Sequence, residues 1–385
     1  MKNVKALVLL TVFIDIIGVG VIIPVLPYYI KSFGATDVVV TLLVAVFALL
    51  AFVSAPMLGA LSDKLGRRPV LIASIISSSI GWLVFAWAPS IVWLFVGRII
   101  DGLAAGNITT AQSSLADIAT DDKTRANNMG LVGAMFGIGF IIGPVIGGLL
   151  GSLGPTVPFW FVGILAGLNA ILAYFLLPET HHTKNTDAKI SINPMKPIID
   201  GFQNREMRAL FGIWFLFGIG VAIQQGTFAL YMSKIFGYTE KTIGILFGII
   251  GVLILINQMA LMKQVWLKYF KEKTLAQAML VVFSFGMILI SVPTIAVFGI
   301  GIILATFGQG TLRAVFSSMI AGFNPNKRGE YLGISMSIMS LSMVVGPLIA
   351  TATFGLNPHI PFIIAGIIGL AAFGLMQLFP LRHVR

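Results

Sequence analysis

Cysteine is absent from the 385-residue chain, which excludes disulfides and thiolate metal sites. Charge is also scarce. Only 10% of residues are Asp, Glu, Lys or Arg, against about 25% in soluble proteins. With 57% apolar residues and a mean hydropathy of +0.98, an ordinary soluble domain is excluded. Histidine occurs four times (His181, His182, His359 and His383), never deep in an apolar run. The sequence therefore calls for no metal and no cofactor. An enzyme working within the apolar segments would need a nucleophile–base pair or metal ligands there, and the chain offers neither. The net charge of +11 could serve nucleic acid, but its distribution follows membrane topology instead.

What the chain has in quantity is long apolar runs. Twelve segments can cross roughly 30 Å of hydrocarbon: 6–30, 38–61, 69–88, 90–118, 127–151, 156–177, 208–233, 240–264, 274–292, 296–320, 329–353 and 359–380. The first is too long for a removable signal peptide; it contains Pro24 and Pro27 and lacks a small-residue cleavage site. With the N-terminus inside, the inner segments hold most of the Lys and Arg, among them Lys5, Arg67, Arg68, Arg125, Lys271 and Arg328. The outer loops hold only Lys31, Lys234 and Lys241. This positive-inside bias places both termini in the cytoplasm. The polar stretch 178–205 reads as a cytoplasmic linker between bundles at 1–177 and 206–385.

The two halves repeat at an offset of 203 residues, counted from Tyr28 to Tyr231. Lys31, Phe33, Gly34 and Thr36 fall on Lys234, Phe236, Gly237 and Thr239, and Gly143-Pro144 falls on Gly346-Pro347. An even number of spans per half makes this a parallel repeat, an architecture whose substrate site lies between the halves near mid-depth. The repeat does not extend to the acids, since Asp15 maps onto Gly218.

Few ionisable groups lie inside the spans. Asp15 in span 1 and Asp101 in span 4 are each about ten residues, or roughly 15 Å, from a span end. Arg98 precedes Asp101 by one helical turn, on the same face. Charges at this depth are costly and normally face a cavity with a partner. Burial disfavours the charged form of a carboxylate, and a neighbouring guanidinium favours it. The group therefore reads either as a proton site or as a fixed ion pair holding spans 1 and 4 together. In the second half, Gln224, Gln225, Tyr231, Asn257, Gln258, Gln309 and Arg313 are candidates to line a substrate cavity. Helix–helix hydrogen bonding is the equal alternative for each polar side chain. Span 5 carries Gly139, Gly143, Pro144, Gly147 and Gly148, a spacing that lets helix backbones approach closely.

Between spans 2 and 3 runs GALSDKLGRRPVL, from Gly59 to Leu71. With Asp15 before IGVGVIIPVLP, GRIIDGLAAGN from Gly97 and the Gly-Pro motif of span 5, this chain resembles the drug:proton antiporter branch of the major facilitator superfamily, in particular the tetracycline-exporter-like group. The resemblance implies an all-α membrane protein of twelve spans in two six-helix bundles. It implies a proton-coupled exporter of amphipathic small molecules, a monomer in a bacterial inner membrane, whose partners are substrate, protons and lipid. Lipid flipping and proton-coupled symport remain open on the same fold. By this resemblance Asp63 and Arg67, with Gly59, Gly66 and Arg68, form a conformational charge lock, and Arg98 is linked to coupling. Tetracycline exporters of Gram-negative bacteria usually carry an acid in span 3. Here that stretch is Ser79, Ile80, Gly81 and Trp82.

Overall fold

The computed structural model describes residues 2–119, 121–180, 193, 195–203, 207–323 and 328–378. Most of the linker expected at 178–205 lies outside the described residues, as do Lys327, Arg382 and Arg385. All regular structure among the described residues is helical: α1 (Lys2–Ser32), α2 (Asp37–Leu65), α3 (Arg67–Trp87), α4 (Ile91–Leu103), α5 (Asn107–Asp117), α6 (Asp122–Gly151), α7 (Val157–Leu176), α8 (Lys196–Gln203), α9 (Arg208–Phe236) and α10 (Glu240–Ile256). A π-helical stretch, Asn257–Trp266, leads into α11 (Leu267–Tyr269), followed by α12 (Glu272–Ile290), α13 (Ile295–Phe323), α14 (Arg328–Phe354) and α15 (Ile360–Leu378). Among the described residues, twelve helical segments are long and apolar enough to cross a membrane. α4 and α5 share the fourth, and α10, the π stretch and α11 share the eighth. The chain divides into two compact units, Met1–Asn193 with Thr239–Gly248, and Pro194–Tyr238 with Ile249–Arg385.

In the first unit, α6 lies along α1. An added Cβ on Gly143 would stand 2.9 Å from the Gly20 Cα and 3.0 Å from the Ile17 carbonyl oxygen, so only glycine permits this approach. The second unit repeats the crossing with α14 on α9, where Gly346 meets Ala222 and Ile223. The tyrosines also repeat, with a one-residue shift from the sequence register. The Tyr231 hydroxyl donates to the Ser291 carbonyl at 3.0 Å. Its counterpart in the first unit is Tyr29, not Tyr28, donating to the Phe85 carbonyl at 2.9 Å.

Two expected spans are not regular. The fourth breaks at Ala104–Gly106, inside the segment expected to run unbroken over 90–118. Broken backbone at membrane depth needs local partners for its freed groups. Here the Ser77 hydroxyl donates to the Ile100 carbonyl at 2.9 Å, and Ser54 to the Gly102 carbonyl at 2.7 Å. The eighth span widens into the π stretch, a departure frequent at functional sites. There the Asn257 carboxamide donates to Thr311 Oγ1 at 3.0 Å and accepts from Trp266 Nε1 at 2.8 Å.

Candidate functional site

The break in the fourth span puts Asn107 at the first turn of α5, facing α1 and α3. Its Nδ2 donates to Asp15 Oδ1 at 2.9 Å and to Ser78 Oγ at 3.2 Å. The Ser78 side chain in turn stands beside the Asp101 carboxylate. Asp101 Oδ2 lies 3.5 Å from Arg98 Nη1. The result is one chain, Asp15–Asn107–Ser78–Asp101–Arg98, drawn from α1, α5, α3 and α4.

The surroundings of the chain differ from end to end. Arg98 and Asp101 are each only 6% exposed. The guanidinium packs over Trp82 at 4.2 Å, Phe85 at 5.0 Å and Phe47 at 5.5 Å, measured to ring centroids. A desolvated cation on an aromatic face gains about 2 kcal/mol. The expectation that all three mid-depth charges face a cavity is thus corrected for Arg98 and Asp101, which pack against aromatic rings and each other, with Arg98 Nε left without a hydrogen-bond partner among the described residues. Asp15 is partly exposed. It borders a cavity of about 10 Å³ lined also by Thr11, Ser78, Asn107 and Asn169, room for a single water. A larger cavity of about 510 Å³ opens elsewhere, beside Leu65, Arg68, Phe175 and Glu179; Asp15 and Asp101 do not line it.

The segment expected as a polar loop at Gly59–Leu71 is tighter than a loop. α2 runs through Asp63 and Lys64, α3 starts at Arg67, and Gly66 alone makes the corner with φ 110°. That backbone conformation is one side-chain-bearing residues rarely adopt. Arg67 is 7% exposed. It pairs with Asp63, with Ser62 Oγ at 2.6 Å and with Asp117 Oδ2 at 2.9 Å. The Glu179 carboxylate accepts from the backbone N–H of Arg67 at 2.9 Å and of Arg68 at 3.3 Å, capping α3. Arg68 donates to the Tyr174 carbonyl at 2.6 Å. Gly59 faces open space.

The glycines of α6 present two faces. Gly139, Gly143 and Gly147 meet α1, at Ile16, Gly20 and Val21. Pro144 and Gly148 meet α10 at Gly244, and Gly148 also meets the Glu240 backbone.

In the second unit the candidates separate. Tyr231 and Asn257 are fully buried, so their expected place on a substrate cavity is corrected. The Tyr231 hydroxyl is engaged by Ser291 and by His359 Nδ1 at 3.0 Å, and its ring packs on Phe298 and Phe362. Asn257 is spent on helix–helix bonding. Gln258 is exposed and donates to the Gly310 carbonyl at 2.8 Å. Gln225 and Arg313 are exposed, and Gln224 and Gln309 are partly so.

Sequence reasoning missed Asn107, Ser78, Asp117 and Glu179. Asp117 carried a signal, an acid at a cation-rich membrane face, and so did the Gly106-Asn107 pair inside an apolar run. Ser78 had none, because it is one of three consecutive serines, Ser77–Ser79.

Comparison with known proteins agrees with this architecture. The model of the Major Facilitator Superfamily matches residues 8–263 and 210–385. The chain belongs to the major facilitator superfamily. As a member it is a multi-pass membrane transporter. It is 31% identical over 383 residues to the tetracycline resistance protein, class C, of Escherichia coli, covering 97% of this chain and 96% of that protein. It is 28% identical to multidrug resistance protein 2 of Bacillus subtilis strain 168, covering 97% and 94%. The crystal structure of the human organic anion transporter MFSD10 shares the fold, with a TM-score of 0.73 at 22% identity over 98% of this chain and 99% of that one.

Proposed function

We propose that this transporter is a proton-coupled exporter of amphipathic small molecules, working by alternating access of its two halves. The observation that carries the reading is the polar chain from Asp15 through Asn107 and Ser78 to the Asp101–Arg98 ion pair. Two carboxylates are held at membrane depth in one network, with a single arginine to balance them. A carboxylate in such a place gains or loses a proton as its access to water and its distance from the arginine change. Asp15, which borders the cavity, is the member that exchanges protons, while Asp101 and Arg98 set its electrostatic surroundings.

Export rather than uptake is supported by the Gly-Pro motif of α6 and by relatives named for tetracycline and multidrug resistance. The first half lacks a span 3 acid at Ser79–Trp82, which argues for a substrate range beyond tetracycline. Gln224, Gln225, Gln258, Gln309 and Arg313, the candidates that keep exposed surface, meet the substrate. Asp63, Arg67 and Asp117, with Gly66 and Arg68, act as the conformational lock. Both termini lie in the cytoplasm, on the side rich in Lys and Arg.

The test is proton release. Tetracycline, norfloxacin and ethidium are each added to purified protein in weakly buffered detergent, and binding and pH are followed together. The reading expects at least one probe to bind with release of protons, and expects Asp15→Asn to bind it without release. Binding to the native protein with no proton exchanged for any probe overturns it.

A further inference from the structure

Asn107 has one feature that the static chain leaves unexplained. It is 5% exposed, its Nδ2 makes two hydrogen bonds, and its Oδ1 is buried with no partner among the described residues. A buried carboxamide with an orphaned oxygen loses the desolvation cost of that oxygen, about 1–3 kcal/mol. Turning the amide by half a revolution exchanges the two ends. The present orientation is the one a charged Asp15 demands, since a carboxylate only accepts. A protonated Asp15 needs the opposite, an acceptor for its O–H, and the turned amide supplies Oδ1 at the position Nδ2 now holds.

We propose that Asn107 and Ser78 are positioning residues forming a two-state hydrogen-bond switch that reports the protonation of Asp15 to Asp101. The inference rests on the proton-coupled reading above. In the first state Asp15 is charged, Asn107 Nδ2 donates to Asp15 and to Ser78 Oγ, and the Ser78 hydroxyl donates to Asp101. In the second state Asp15 carries a proton and donates it in a hydrogen bond to Asn107 Oδ1. Ser78 has then lost its donor and faces an acceptor, so its hydroxyl turns from Asp101 to Asn107. Asp101 is left with Arg98 as its partner. No covalent bond is exchanged beyond the protonation of Asp15; one amide and one hydroxyl rotate.

The geometry suits this role because, among the described residues, nothing else titratable lines the site. α1 contributes Asp15, and α4 contributes Asp101 and Arg98. α3 and α7 line the site with Ser78, Trp82, Val162, Ala166 and Asn169, all neutral. The acidic and basic residues of α2 and α6 stand towards the ends of those helices, at Asp37, Asp63 and Lys64, and at Asp122, Lys123 and Arg125. Asn107 is the only side chain shown bonded to both Asp15 and Ser78 among the described residues.

The experiment is infrared difference spectroscopy of the purified full-length protein between acid and alkaline buffer, without substrate. The switch expects an asparagine side-chain carbonyl signal in the native difference spectrum. That signal disappears in Asn107→Leu, and it disappears equally in Asp15→Asn, which leaves Asn107 in place. Ser78→Ala is expected to keep the Asn107 signal and lose the change at Asp101. A native spectrum in which Asp15 protonates with no asparagine signal overturns the switch, as does a signal that persists in Asp15→Asn. Should Asn107→Leu fail to fold, the native protein and Asp15→Asn decide the matter. Because no substrate is present, a transporter that ignores the proton gradient yet shows these signals refutes coupling and leaves the switch standing.

Discussion

Replacing Gly143 by alanine tests whether the seam between α1 and α6 is set by backbone contact. The added methyl would stand 2.9 Å from the Gly20 Cα and 3.0 Å from the Ile17 carbonyl oxygen. Both are main-chain atoms, so no side chain can rotate away, and ordinary van der Waals contact begins near 3.4 Å. The helices must part by about half an ångström, and overpacking of this kind costs about 1–3 kcal/mol. Gly137 supplies the control, because it lies on the same helix with nothing within 4 Å of an added Cβ. There alanine gains helix propensity, about 0.5–1 kcal/mol. The two substitutions are chemically identical and under two turns apart, so they differ by roughly 1.5–4 kcal/mol by this reasoning. Thermal unfolding in detergent should place Gly143→Ala well below the native protein and Gly137→Ala at or above it. Equal midpoints for the two variants would show that the seam yields freely, and the argument from close approach would be wrong.

Gly66→Ala should lower the unfolding midpoint, because a φ of 110° and the adjacent Glu179 carboxylate both oppose a Cβ; about 1–2 kcal/mol is expected, while Gly59→Ala, in open space, should be silent. Asp117→Asn, which strips one of two charge partners from the buried Arg67, should cost about 1.5–3 kcal/mol. Asp63→Asn should cost less than about 1 kcal/mol, since Asp63 is 46% exposed; chemical denaturation of the two variants compares them directly. Trp266→Phe removes the indole donor from Asn257 Oδ1 and should destabilise by about 1–3 kcal/mol, with Trp266→Phe/Asn257→Leu less affected than the sum of the single changes.

Span number and bundle repeat were legible because membrane depth enforces them. A continuous apolar run has few alternatives to a spanning helix, and two glycines spaced to admit a neighbouring backbone leave the same imprint in both halves. The break after Asp101 was not legible. It depends on serines of α2 and α3, Ser54 and Ser77, that reach the freed carbonyls across the fold, and local sequence does not encode such partners. The corner between α2 and α3 was half legible. Asp63, Arg67 and Arg68 stand together in the chain, but Asp117 and Glu179 reach them only through folding, from residues about 50 and 112 positions away. The environment of the charges expected at mid-depth was not legible. Periodicity put Arg98 and Asp101 on one face, and only the packing of Phe47, Trp82 and Phe85 shows that this face is closed. Tyr231 failed for a similar reason. A polar tip on an aromatic ring reads as a ligand contact until its hydroxyl is found on the Ser291 carbonyl.

The most direct measurement is transport by the purified protein in proteoliposomes under an imposed pH difference, with ethidium, norfloxacin and tetracycline as probes. The account predicts that movement of at least one probe accelerates when protons can flow against it. It further predicts that the acceleration is lost in Asp15→Asn while exchange at equal pH survives. Transport of a probe at the same rate with and without the gradient would contradict it.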